Sequence, residues 1–360
     1  YHHPSRLILL WGSNPPSTNE EGAICSQIHG QLKAGAGLVV VDPRRTELAE
    51  RADLWLQPLP GTDALLALGM LRVIIEEVRY DPVFVRDWTV GFSDLQEKVR
   101  QIPLQTVAET TGVPMASIRR AARTYAAAKP ATLGWGNPLE HTVNAFDTAR
   151  SLICLMALCG NLERPGGNIR AEEPDITKLG RFVRADLLPR KPKTMVHASS
   201  GTIPRLMTVP PAHFKRAVLQ KTPYPIRGAY LQCSNPVLTW ADSRSTREAL
   251  QQLKFLAVSD LVMTPTAALA DIVLPAATQY EFDDIGHYGL GHGYILPRPK
   301  LVDPPECCRP DIDILNELGK RLTPARFWFT DFRGLLDEVL SPSGLSFAEF
   351  AAKGILKGPE

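Results

Sequence analysis

The feature that most constrains this chain is an internal quasi-repeat. Leu7–Pro15 (LILLWGSNP) and Gly228–Pro236 (GAYLQCSNP) each run an apolar segment into Ser-Asn-Pro. In both copies a helical stretch follows, then a second apolar segment ending on an aspartate, Asp42 or Asp260. Beyond each aspartate the spacing stays in step: Thr46 matches Thr264, Ala49 matches Ala267, and Ala52-Asp53 matches Ala270-Asp271. A further apolar segment then leads to Pro58 or Pro275. Repeats describe architecture. With copies in opposite halves of a 360-residue chain, this one means two similar domains rather than a solenoid.

Within each copy, strand, turn, helix and strand make a βαβ unit, which implies a parallel sheet with a right-handed crossover. The expected fold class is α/β, with two related open, mostly parallel sheets and flanking helices. Strands are expected at Arg6–Trp11, Leu38–Val41, Ala52–Gln57, Ala131–Trp135, Gly228–Gln232, Phe255–Val258 and Asp271–Leu274. Thr18-x-x-Glu21 reads as a capping box for the first helix. The main later helices are expected at Thr62–Glu77, up to Ala128 after Pro114, Ala145–Leu158, Ser243–Gln252 and Asp311–Leu322. The expected domains are 1–170 and 226–330, joined by an irregular, Pro- and basic-rich crossing at 171–225. A helical tail at 331–360 would lead to a further C-terminal domain.

Composition removes several function classes. Lys plus Arg number 40 against 38 Asp plus Glu, so a net charge of +2 offers no bulk attraction for nucleic acid or an anionic membrane. No apolar run approaches the ~20 residues of a membrane-spanning helix. The 31 prolines, about 9 % of residues, favour loops over a helical bundle. The six cysteines contain no C-x-x-C pair, so an iron–sulfur ligand run is absent from these residues. The adjacent Cys307 and Cys308 read as incidental, and the basic run at Lys191 and Lys193 as a solvated loop.

Ligands of open α/β sheets bind outside the carboxyl ends of the strands. Asn14 and Asn235 stand there, on turns whose N–H groups suit phosphate oxygens. Asp42 and Asp260, one strand over, occupy the place of a ribose- or base-binding acid. Neither half carries G-x-G-x-x-G, which argues against an ordinary NAD site. Two such halves imply one large cofactor with two nucleotide ends, or two cofactors.

WGSNP, VVVDPRRT, ADLWLQPLPGTD, the GN-x-x-x-PGGN stretch Gly160–Asn168, CSNP and ADIVLPAAT followed by Glu281 occur in that order. Together they resemble molybdopterin oxidoreductases of the dimethyl sulfoxide reductase and formate dehydrogenase type, over nearly all of residues 6–322. The resemblance implies a molybdenum or tungsten ion held by two molybdopterin guanine dinucleotides. It implies that Gly12, Ser13 and Asn14 contact one guanosine and its pyrophosphate. Asp42, Arg44 and Thr46 would hold that nucleotide's ribose and phosphate. In Gly61-Thr62-Asp63, the carboxylate would pair with the guanine edge. Gly136, Glu140 and His141 resemble a loop along a pterin, with Glu140 departing from the more usual Gln. Asn235, Ser259 and Asp260 would serve the second dinucleotide.

The resemblance places the metal ligand and any iron–sulfur cluster before the first strand. The catalytic residue is therefore unassigned, and no metal ligand is expected here. Glu281, Asp283, Asp284, His287 and His292 form a dense stretch for which a covering loop is favoured over metal binding. The chain is expected to be the cofactor-holding middle of a longer catalytic subunit, inactive alone. That subunit would act on a small-molecule substrate and pair with an electron-transfer, iron–sulfur subunit. The alternative is a cofactor-free structural relative such as the large iron–sulfur subunit of respiratory complex I.

Overall fold

The computed structural model describes residues 3–18, 23–178, 180, 196–197, 209–288 and 292–359. The chain divides into two compact units, Tyr1–Arg170 and Ala171–Glu360. In the first, β1 (Leu7–Trp11), α1 (Pro15–Thr18), α2 (Ala23–Lys33), β2 (Gly37–Val41), α3 (Glu47–Arg51) and β3 (Leu54–Leu56) follow in order. Helices α4 (Asp63–Glu76), α5 (Pro82–Trp88), α6 (Phe92–Arg100), α7 (Leu104–Thr111) and α8 (Met115–Ala127) lead to β4 (Ala131–Trp135) and α9 (Ala145–Leu158). The sheet runs β3-β2-β1-β4, parallel throughout.

Both faces of this sheet are covered, which is why its strands read as unbroken apolar runs. Ile8, Leu10, Leu38 and Val40 pack with Ile28 of α2 and Leu48 of α3. Successive side chains alternate faces, so Leu7, Leu9, Trp11, Val39 and Val41 turn the other way. They meet Leu66 and Met70 of α4, Tyr125 of α8 and Leu152 of α9. Truncating one such leucine to Ala costs about 2–5 kcal/mol.

The stretch after α9 guards the open edge of β4. Asn161 Oδ1 accepts the Ala131 N–H at 3.0 Å. Asn168 accepts the Leu133 N–H at 2.9 Å through Oδ1 and donates to the Leu133 carbonyl at 2.8 Å through Nδ2. These side chains replace a neighbouring strand, a standard way to blunt a sheet edge.

The second unit contains α10 (Pro211–Leu219), β5 (Gly228–Gln232), α11 (Pro236–Thr239), α12 (Ser243–Gln251), β6 (Phe255–Asp260) and β7 (Ile272–Pro275). Its parallel sheet runs β5-β6-β7. The repeat survives as matched hydrogen bonds. Thr46 Oγ1 accepts the Ala49 N–H at 3.2 Å, and Thr264 Oγ1 accepts the Ala267 N–H at 3.1 Å. The Thr18 hydroxyl donates to the Asn14 carbonyl at 2.9 Å, and that of Thr239 to the Asn235 carbonyl at 3.1 Å.

A second, antiparallel sheet was not expected from the sequence. It orders β10 (Leu356–Lys357), β9 (Tyr294–Arg298) and β8 (Asp284–Gly286). Helices α13 (Asp311–Leu322), α14 (Phe332–Leu340) and α15 (Phe347–Lys353) accompany it. Ile285, Ile295, Leu336, Leu340, Phe347 and Phe350 form its core. Strands this short carry no readable alternation. Helix α10 also falls inside the stretch expected to be irregular; Pro211 opens it, as the fixed φ of proline suits a first turn. Glu21 of the expected capping box and the basic run at Lys191 and Lys193 lie outside the described residues.

Candidate functional site

In the first unit, the carboxyl ends of β1, β2 and β4 open into a cleft of about 580 Å³. Of the residues singled out from sequence, Gly12, Ser13, Asn14, Asp42, Arg44, Gly61, Asp63 and Gly136 line it. Trp135 and a proline rim that includes Pro15, Pro43, Pro58 and Pro60 line it too, and sequence reasoning did not single these out.

The turns after β1 and β4 meet at the cleft floor. Gly12 has φ +56, in the left-handed region that glycine tolerates. Gly136 lies so close that a Cβ there would sit 2.0 Å from the Gly12 carbonyl oxygen. Gly136 is therefore required by backbone approach, and Gly12 by its left-handed φ and the nearby Leu139 side chain, whatever else passes over them.

Polar groups inside the cleft differ in how far they are committed. Asp42 is buried, and its Oδ1 accepts the Arg44 N–H at 2.8 Å, while the Arg44 side chain is 74 % exposed. Asp63 Oδ1 accepts the Trp11 indole N–H at 2.8 Å, which fixes the carboxylate plane and leaves Oδ2 for another donor. Asn14 Oδ1 is buried with no hydrogen-bond partner among the described residues. Such an orphan costs about 1–3 kcal/mol, and each one in a folded protein asks for a reason.

The other first-half candidates are placed outside this lining. Thr46 is buried and caps α3. Thr62 precedes α4 and donates to the Leu59 carbonyl at 2.6 Å. Glu140 accepts the Trp135 indole N–H at 2.9 Å, and His141 is exposed at the end of the same short helical turn. Glu140 thus steadies a cleft wall from behind.

The corresponding corner of the second unit is more fully bonded. Asn235 Oδ1 accepts the Thr266 hydroxyl at 2.6 Å. Asp260 accepts the Leu261 N–H at 2.8 Å and the Thr264 hydroxyl at 3.2 Å. Ser259 is fully buried and donates to Asp311 Oδ1 at 2.5 Å. The Cys233 thiol donates to the other oxygen of Asp311 at 3.1 Å. Burial, then the bond to Asp311, pushes that thiol up to about 11. Cys233 occupies the place of Gly12 in the repeat and shares its left-handed backbone, with φ +50.

Asp311 stands at this corner, bonded to Ser259 and Cys233, and sequence reasoning did not single it out. It opens α13 as Asp63 opens α4, so both units place a carboxylate on the first residue of a helix near the strand ends. The signal was the Arg309-Pro310-Asp311 helix start, hidden by the long insertion after β7. In the Tyr280–Tyr294 stretch, Glu281 accepts the Thr278 N–H, Asp283 pairs with Arg333, and Asp284 pairs with Arg298. The His287 ring meets those of His292 and Tyr294 edge-on. Among the described residues, no group of three or more His, Cys, Asp and Glu is arranged to hold a metal ion.

The model of the family described as molybdopterin oxidoreductase matches residues 3–321. The chain belongs to the molybdopterin oxidoreductase family. It is 29 % identical over 374 residues to the acetylene hydratase of Syntrophotalea acetylenica, covering 96 % of this chain and 51 % of that relative. Formate dehydrogenase H of Escherichia coli is 28 % identical over 326 residues, covering 88 % of this chain and 45 % of that protein. The solved structure of acetylene hydratase from Pelobacter acetylenicus superposes with a TM-score of 0.88 at 27 % identity, covering 99 % of this chain and 52 % of that one. The chain spans about half the length of these relatives. Its two parallel sheets are those of a molybdopterin oxidoreductase fold, and the family implies a molybdenum or tungsten pterin cofactor. No helix among the described residues is long and apolar enough to cross a membrane.

Proposed function

We propose that this chain is the nucleotide-holding middle of a molybdenum or tungsten enzyme, and that it binds the two guanine dinucleotide arms of a bis(molybdopterin guanine dinucleotide) cofactor. The observation that carries this is the orphaned Asn14 Oδ1, buried in a cleft whose glycine floor excludes side chains. An N–H or O–H donor on a ligand would satisfy it. The residues present fit the group. The Gly12 N–H is taken by the Val41 carbonyl at 2.7 Å, so the N–H groups of Ser13 and Asn14, with the cationic Arg44, are the ones that suit pyrophosphate oxygens. Asp63, held edge-on by Trp11, keeps one oxygen for the N–H groups of a guanine. Gly136 lets the turn after β4 lie directly against the Gly12 carbonyl, which brings both turns to the cleft. Thr46, Thr62, Glu140 and His141 flank the lining, and Glu140 holds the Trp135 indole that forms part of it. In the second unit, Asn235, Ser259 and Asp260 form the other nucleotide corner, with Asp311 joining them.

When bound, the cofactor supplies two-electron chemistry at its metal. These residues bind and orient it; the proposed metal ligand, any iron–sulfur cluster, the small-molecule substrate site and the electron-transfer partner belong to the longer protein. The test is metal and nucleotide analysis of the complete protein, purified from cells that make the cofactor. Two equivalents of GMP released per molybdenum or tungsten is the expected result. A folded protein that carries neither would overturn the proposal in favour of a structural relative without cofactor.

A further inference from the structure

Cys307 and Cys308 are neighbours in the chain, and their sulfur atoms lie 4.0 Å apart. Cys307 is exposed and Cys308 half-buried. The backbone around them is pinned. The Cys308 N–H donates to the Pro305 carbonyl at 2.8 Å. Arg309 then bridges to the end of β7, donating to the Pro275 carbonyl at 3.2 Å and accepting from the Ala277 N–H at 2.9 Å. Both thiols are thus presented from a fixed turn.

Two chemistries compete for such a pair. A disulfide prefers Cα atoms about 4.4–6.8 Å apart, whereas neighbours across a trans peptide are held at about 3.8 Å. Direct oxidation is therefore geometrically poor. Chelation is not: two thiolates at about 2.3 Å from one tetrahedral ion lie about 3.8 Å from each other, close to the spacing already present. We infer that Cys307 and Cys308 form a bidentate site for a thiophilic divalent cation of the zinc and cadmium class. Binding forms two metal–sulfur bonds and releases the two thiol protons, and no electron is transferred. Since no third ligand completes a cage among the described residues, small exchangeable ligands fill the remaining positions. The site captures and releases ions and does not hold the fold together.

The inference stands apart from the nucleotide proposal and is tested separately, by titrating the chain with Cd²⁺. The readouts are the ultraviolet thiolate-to-cadmium band and proton release. The expected result is one ion bound with two protons released. Cys307→Ser and Cys308→Ser should each remove at least half of the band and weaken binding about tenfold or more. Cys25→Ser should change neither, although Cys25 Sγ lies 3.6 Å from His29 Nδ1 and is the competing pair. Survival of the full band in either of the first two variants, or its loss in Cys25→Ser, overturns the inference. A second measurement needs no variant: phenylarsine oxide, which takes two thiols, should protect Cys307 and Cys308 together from alkylation mapped by mass spectrometry. Continued alkylation of both would also overturn it.

Discussion

The Asp53 carboxylate accepts the backbone N–H of Leu38 at 2.8 Å, and Asp271 repeats that bond onto Leu256 at 2.7 Å. Each aspartate also donates its own N–H to the same leucine's carbonyl, at 2.9 Å and 2.8 Å. The two residues clamp the entry of the third strand onto the second, in the same way in both units. They lie at the opposite strand ends from the cleft. Asp53→Ala should therefore destabilise the protein by about 1–3 kcal/mol, the penalty of an unpaired backbone donor, with nucleotide content unchanged. Denaturant unfolding and GMP analysis of one preparation check both halves.

Asn14 and Asn235 occupy the same turn of the repeat, yet among the described residues only Asn235 has its side-chain oxygen satisfied, by Thr266. The repeat puts Leu48 where Thr266 stands, and leucine has no donor. Asn14→Ala should raise the stability of the nucleotide-free protein by up to about 1–3 kcal/mol, since it removes a buried atom that has no partner among the described residues. Asn235→Ala should cost about 1–2 kcal/mol through the loss of the Thr266 bond. In cofactor-loaded protein the ranking of nucleotide retention should reverse, with Asn14→Ala losing more. Thermal unfolding of apo and loaded samples measures the crossover.

These contrasts show what the sequence could and could not reveal. The first parallel sheet was legible because strands buried on both faces write unbroken apolar runs, as in Leu7–Trp11 and Gly37–Val41, and the second because it repeats the spacing of the first. The first cleft was legible because one turn, one strand end and one glycine corner each carry a short signature within residues 12–63. The second corner was less so, since Asp311 reaches Ser259 across 52 positions. The Asn168 side chain was also opaque: its role as a substitute strand depends on β4 having an open edge, which no local pattern encodes. Likewise, Thr46 reads as a nucleotide contact by resemblance, and that its hydroxyl oxygen also caps α3 shows only in the structure.

Asp63→Asn separates pairing from packing. The Asn carbonyl still accepts the Trp11 indole, so the thermal midpoint should stay within about 2 °C of the parent. The second carboxylate oxygen becomes an amide donor, which opposes the N–H groups of a guanine instead of receiving them. GMP content after purification should fall about tenfold or more, on the scale of an unpaired polar contact. Unchanged GMP content would remove Asp63 from the nucleotide site.

Glu77 predicts an acid-labile tie between helices α4 and α8. Its carboxylate receives the Arg123 guanidinium at 2.8 Å and the Arg79 guanidinium at 2.7 Å. Arg123 first, with Arg79 assisting against the opposing effect of burial, lowers its pKa from 4.5 to about 2. A carboxylate depressed on folding adds stability that is complete above 4.5 and is lost as pH falls towards 2. Arg79 and Arg123 are 43 % and 49 % exposed, so solvent screening reduces the contribution to about 1 kcal/mol. Glu77→Gln should lower stability by that amount at pH 7 and flatten the acid limb of the stability curve across this window.

The Cys233–Asp311 pair gives a chemical handle on the second corner. A thiol raised to about 11 holds little thiolate at pH 8, so Cys233 should alkylate slowly although it is exposed. Asp311→Asn removes the negative charge beside the sulfur while keeping an acceptor for Ser259 Oγ. The thiol should then fall towards its ordinary value of about 8.5, and iodoacetamide should modify Cys233 about tenfold faster or more. Ser259→Ala is the control, because it takes away a neighbour of Asp311 and leaves the charge. Its Cys233 rate should stay near that of the parent. Equal rates in Asp311→Asn and parent would show that burial alone, without the carboxylate, sets the behaviour of this thiol.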